Sequence, residues 1–200
     1  MHEIPDIVPL RKEDAEVAGE ILEQAFAADP LNVYTVPDPG RRQEVFRWLF
    51  TQLVRGGDAV YVTSGPPRGV AVWIAPQTSG DAVESESDRE QMEHVFGPDA
   101  YRRFVCAFEY FESNHRRLMR GSHWYLQLLG VEPRWQGQGI GGALIAPVLQ
   151  EADHQGLPCY LETFVAGNVL FYQRHGFQVV DASREPVSQV PCWSMRREPR

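Results

Sequence analysis

Cysteine is scarce in this chain. Cys106, Cys159 and Cys192 are an odd number without C-x-x-C spacing, which argues against a disulfide framework and against a zinc site. Buried free thiols are the expectation. Long apolar runs are missing too: stretches such as 70–75 fall far short of the roughly 20 residues that a membrane helix needs. The opening MHEIPDIV lacks the basic start and apolar core of a leader, so a cytoplasmic protein with no membrane partner is expected. Basic charge is short as well. With 19 Lys and Arg against 27 Asp and Glu, the net charge of −8 has the wrong sign for a nucleic-acid binder, which presents a basic face. Repeats and low-complexity tracts are absent.

What is present is an ordinary globular composition, 43% hydrophobic and 23% charged, over 200 residues. That length suits one well-buried domain. Residues 7–10 read as a short strand. Ala18, Ile21, Leu22, Ala25 and Phe26 recur at helical spacing until Asp29-Pro30. The proline-rich piece 29–40, with Tyr34, reads as an irregular loop. Residues 41–55 form a second helical pattern, with Val45, Trp48, Leu49, Gln52 and Leu53 on one face, ended by Gly56-Gly57. Residues 59–63 and 69–75 are strands around a Ser-Gly-Pro-Pro connection, and 76–88 a polar, acidic loop. A helical segment follows over 89–120, broken at Gly97-Pro98, with His115, Arg116 and Arg117 near a polar end that should be solvated. Then come a strand at 124–131, a helix at 139–154 kinked by Pro147, a strand at 159–164, a short helix at 168–175, and closing strands at 177–180 and 191–195.

The stretch carrying most chemistry joins the strand 124–131 to a glycine-rich turn, Gln136-Gly137-Gln138-Gly139-Ile140-Gly141-Gly142, and a helix with Ile140, Leu144 and Val148 on one face. The first N–H groups of a helix lack intrahelical partners, and glycine lets a ligand come close. That makes an anion site, most naturally for phosphates, with Arg134 as a nearby cation. Gly137, Gly139 and Gly142 also satisfy G-x-G-x-x-G, with Glu162 placed 20 residues further on, a dinucleotide pattern. Only 58 residues follow Gly142, however, and a dinucleotide fold needs several more βα units there.

Gln136-x-x-Gly139-x-Gly141 after Leu128-Leu129-Gly130-Val131-x-Pro133 resembles the acyl-CoA signature of the GNAT superfamily of N-acetyltransferases. Tyr160-Leu161-Glu162-Thr163 is similar to that family's next strand, and Asn168-x-x-Phe171-Tyr172-x-x-x-Gly176-Phe177 to its last helix and turn. Gly69-Val70-Ala71-Val72-Trp73 and Trp193-x-Met195 are similar to its puromycin-acetylating branch. The resemblance implies an α/β (α+β) fold with a mixed, mostly antiparallel sheet of about seven strands flanked by helices. Segment 89–120 would be an insertion before the central strand, serving as a substrate-side lid or as an oligomer contact in a homodimer. The activity implied is acetyl transfer from acetyl-CoA, without a metal, to the amine of a small molecule. Protein acetylation and CoA sensing without turnover are the alternatives.

The resemblance also implies that the backbone of Leu129, Gly130 and Val131 holds the pantetheine arm where the sheet splits. Gln136, Gly137, Gln138, Gly139, Ile140, Gly141 and Gly142 would hold the phosphates, Asn168 the pantetheine, and Tyr172 would protonate the sulfur. Asn168 and Tyr172 are four residues apart and share a helix face. For the base, Tyr125 and Gln127 have the wrong chemistry. Glu162, a carboxylate inside an apolar strand, must be paired or functional and is the candidate, directly or through a water. His123, at the outer end of a strand, is a poorer one.

Overall fold

The computed structural model describes residues 4–76 and 86–200; most of the acidic loop expected at 76–88 lies outside them. The elements are β1 (Ile7–Pro9), α1 (Ala15–Ala25), α2 (Pro30–Thr35), α3 (Pro39–Gly56), β2 (Ala59–Thr63), β3 (Gly69–Ile74), α4 (Glu86–Phe96), α5 (Pro98–Leu118), β4 (Trp124–Val131), α6 (Ile140–Gln155), β5 (Cys159–Thr163), α7 (Ala166–Arg174), β6 (Gln178–Arg184) and β7 (Pro191–Arg197). The strands form one seven-stranded sheet in the order β1-β2-β3-β4-β5-β7-β6. Every neighbouring pair is antiparallel except β4 and β5. No helix among the described residues is long and apolar enough to cross a membrane.

The piece 29–40 is not an irregular loop. Asp29 accepts from the N–H groups of Leu31 and Asn32 and caps α2, while Asp38 accepts from Arg41 N–H at 2.7 Å and caps α3. Pro30 and Pro39 are the first residues of those helices, where a missing N–H costs nothing. The prolines therefore mark starts. The buried face of α3 is also wider than the spacing suggested, with Phe46, Phe50 and Val54 buried beside Val45 and Leu49. The break at Gly97-Pro98 is real, since Gly97 sits at φ 74° between α4 and α5. The helix α6 continues through Pro147.

A bulge in β4 sorts the core. Val72 pairs with Leu128 but Trp73 with Leu126, so Gln127 is the extra residue. Such an insertion exchanges the faces of the residues beyond it. Leu126 belongs to the cluster with α6 residues Leu144, Ile145 and Val148, whereas Leu128 faces the cluster of α1 and α3 with Leu22, Val45 and Phe50. Gly130 turns the same way, where a Cβ would come within 2.9 Å of Leu22 and 3.0 Å of Ala25. Its bare Cα lets α1 lie against the strand.

The C-terminal half of the sheet is tied to α6 by Arg197, only 4% exposed, which donates two hydrogen bonds to Asp153 at 2.7 and 2.6 Å. The guanidinium and the Arg200 N–H hold the Asp153 carboxyl below the usual range. Removing the carboxylate strands a buried cation, so Asp153→Ala should lower unfolding stability by about 3 kcal/mol, read by denaturant titration. Because the folded-state pKa is depressed, the pair's contribution is present above about pH 3.9 and is lost as pH falls through the folded value. Cys159 and Cys192 are buried, with thiols pushed up to about 12 by burial, but Cys106 is exposed, contrary to expectation.

Candidate active site

The ladder between β4 and β5 is short. Only Trp124 with Cys159 and Tyr125 with Tyr160 are paired, and beyond them the strands part. Leu129, Gly130 and Val131 keep β3 on one side and face the opening on the other. The sheet split that the resemblance implied is therefore present, and those strand ends have main-chain groups to offer to a ligand arm.

At the lower end of β4, a 3-10 turn over Pro133–Trp135 leads into the glycine-rich turn. Gln136 Nε2 donates to Val131 O at 3.0 Å, and Gln138 Nε2 to Arg134 O at 3.3 Å, so both side chains brace the turn. Gly137 and Gly139 have φ of 74° and 87°, a left-handed conformation that glycine adopts without strain. Alternating positive φ points successive N–H groups to one side, as in backbone anion nests. The first main-chain bond of α6 runs from Ala143 N to Gly139 O at 3.1 Å, which leaves the earlier N–H groups to a ligand.

Gly141 and Gly142 have another reason to be glycine. A Cβ on Gly141 would lie 3.3 Å from Phe171, and one on Gly142 2.6 Å from His175 Nε2. Both let α7 pack on α6, while their N–H groups still belong to the helix start. The cations here are partly engaged: Arg134 pairs with Glu132 at 2.6 Å, and Arg68, which the sequence did not single out, stacks 4.0 Å over Trp135. The dinucleotide alternative is overturned. This turn follows the fourth strand of a mostly antiparallel sheet and not the first strand of a parallel βαβ array.

The helix α7 brings Asn168 and Tyr172 to the same region. Asn168 Nδ2 donates to Thr163 Oγ1 at 3.2 Å, at the end of β5. Tyr172 is 7% exposed and packs edge-on to Phe177 at 5.9 Å. Burial alone pushes its phenol up, so it stays protonated.

Glu162 points to the other face of β5, beneath α5. Burial pushes its carboxyl up to about 7, against the nearby Tyr160 and Tyr125 hydroxyls, which favour its anion. Glu112 of α5 adds a like charge that raises it further. A carboxylate poised near neutrality suits a general base. Glu162 and Tyr172 thus lie on opposite faces of the sheet, since Tyr172 packs in the cluster of Leu161 and the α6 residues.

Two sequence readings on this side need correction. His123 is buried, 3% exposed, and His115 is not solvated: its ring stacks on Tyr160 at 4.3 Å, and its Nε2 lies 2.7 Å from His123 Nε2. His123 Nδ1 faces Gly121 O at 2.7 Å and must donate to that carbonyl. The contact between the two rings is then a donation from His115 to His123. Burial lowers both histidines, His115 to about 4, so the pair is neutral. Tyr160, Ser194 and Asp181, none of them singled out from the sequence as site candidates, share the face of Glu162. Polar residues at every second position of apolar strands, Tyr160-x-Glu162 and Cys192-x-Ser194-x-Arg196, were the available signal.

Residues 101–179 match the model of the Acetyltransferase (GNAT) domain. An uncharacterized N-acetyltransferase of Schizosaccharomyces pombe is 28% identical over 202 residues, spanning 93% of this chain and 80% of that protein. A peptidyl-lysine N-acetyltransferase of Escherichia coli is 37% identical over 71 residues, 36% of this chain and 47% of its own length. The crystal structure of histone acetyltransferase HPA2 and related acetyltransferase from Corynebacterium glutamicum superposes with a TM-score of 0.74 at 22% identity, over 99% of this chain and 98% of that one. The polyamine N-acetyltransferase of Drosophila melanogaster gives 0.67 at 16% identity, over 96% and 100%. Those two structures share the fold.

Proposed function

We propose that the chain, whose residues 101–179 match the Acetyltransferase (GNAT) domain model, is an N-acetyltransferase that moves the acetyl group of acetyl-CoA onto the amine of a small molecule. The observation that carries this reading is the opening of the sheet below Tyr125 and Tyr160, which lies between the phosphate-ready turn at Gly137–Gly139 and the Glu162 carboxylate. The N–H groups of the turn and of the α6 start receive the pyrophosphate, and the free edge of Leu129, Gly130 and Val131 aligns the pantetheine with Asn168. Glu162 takes the proton of the acceptor ammonium, directly or through one water, and Tyr172 donates to the departing sulfur. Proximity supplies much of the rate, since both reactants are fixed across one gap.

A small acceptor is favoured over a protein because α5 roofs this side, with His115 on Tyr160 and Phe111 against Phe164 at 4.7 Å. Segment 89–120 is then a substrate-side lid. Names among the similar structures, polyamine and agmatine N-acetyltransferases, support the same class, while the likeness to puromycin acetylation rests on short motifs. Incubation with acetyl-CoA and a panel of primary amines should release free thiol and yield a product heavier by one acetyl group. Hydrolysis of acetyl-CoA without any acetylated amine would contradict the proposal.

A further inference from the structure

Four rings beneath α5 form a cluster that the transfer described above leaves unused. His115 of α5 stacks on Tyr160 at 4.3 Å and lies tilted at 4.6 Å from Tyr125, and the two tyrosine rings are 6.0 Å apart. His123 closes the set, 5.0 Å from His115 and 6.1 Å from Tyr160. Gly121 O takes the Nδ1 proton of His123, and His123 Nε2 takes the Nε2 proton of His115, each at 2.7 Å. These bonds anchor α5 to the segment that enters β4, and so fix the imidazole that lies on both tyrosines.

The register places the tyrosines beside the base. Tyr125 and Tyr160 are the last paired residues before β4 and β5 part. Glu162 stands two residues further along β5, on the same face, with Ser194 of β7 on one side and the opening of the sheet on the other. The hydroxyls of both tyrosines have the Glu162 carboxylate within hydrogen-bond reach, and that of Tyr160 also has Ser194. Tyr160 Oη is buried and aligned with neither group in this packing, so its donation is available to a Glu162 anion. The other titratable groups facing Glu162 are Glu112 of α5 and Cys192 of β7. Arg196 of β7 and the pair of Arg117 with Asp181 lie further out. A glutamate carboxylate hangs on a flexible side chain, and a base works only when it is held at the proton it takes.

We propose that Tyr125 and Tyr160 are the positioning residues of the base: packed on His115 at the closed end of the opening, they donate to Glu162 and keep its carboxylate at the gap. They act through Glu162. The inference rests on the role proposed for Glu162 above and adds what holds that group in place.

The test is kcat/KM against pH for the wild type, Tyr125→Phe, Tyr160→Phe and the double variant, with the same amine throughout. A hydroxyl that donates to a carboxylate favours its anion. Each single substitution should therefore move the rising limb, expected near pH 7 in the wild type, upward by about one unit, and the double variant should move it further. At pH 7 a one-unit shift lowers kcat/KM about fivefold, while the value above the limb changes less. Acetyl-CoA titration verifies that each variant is folded. A limb that stays in place in the tyrosine variants, or a loss equal at every pH, would overturn the positioning role alone, given that the limb is missing from Glu162→Gln. A limb that persists in Glu162→Gln would overturn the base reading and this inference with it.

Discussion

Replacing Glu162 by Gln should lower kcat/KM for an amine acceptor by about 10²-fold to 10³-fold, the scale of a lost general base. The pH profile carries the sharper signature. The Glu162 carboxyl is pushed up to about 7 by burial, and only its ionised form accepts a proton. Wild-type kcat/KM should therefore rise with pH through about 7, and this limb should be missing from Glu162→Gln. The amide fills nearly the same volume beside Tyr125 and Tyr160, so a loss of activity will not reflect a cavity. A profile of the same shape in both proteins would show that the limb belongs to another group.

The second large effect is expected at Tyr172. Tyr172→Phe should reduce kcat about 10²-fold, with little change in the KM for acetyl-CoA, because the ring's packing on Phe171 and Phe177 survives and only the hydroxyl goes. Burial pushes this phenol up, so it stays protonated throughout the working range, as the proposed donor role requires. A thiolate has a parent pKa of about 8.5 and gains from such a donor when the geometry is preset. Unchanged kcat would remove Tyr172 from the reaction.

How far the sequence led depended on how local each cause was. The turn at Gln136–Gly142 was legible because its glycines and the following helix face lie within a few residues of one another. The strand set was legible for the same reason, but its order is set by long-range pairing. Asp29 and Asp38 were misread through their prolines, which start α2 and α3; an Asp-Pro pair ends one helix as readily as it begins another. Gly141 and Gly142 suited a phosphate turn, and only the packing of α7 against them gives their second role. His115 read as solvated because Arg116 and Arg117 follow it; its place on Tyr160 depends on how α5 crosses the sheet, which no local pattern encodes. The same crossing sets Glu112 near Glu162 and Arg117 against Asp181, from segments far apart in the chain.

The central claim, a donor site for acetyl-CoA built from the α6 start and the opened β4 edge, is tested most directly by calorimetric titration of the protein with acetyl-CoA and, separately, with NAD. The account predicts micromolar, one-to-one binding of acetyl-CoA and no heat with NAD; binding of NAD with none of acetyl-CoA would contradict it.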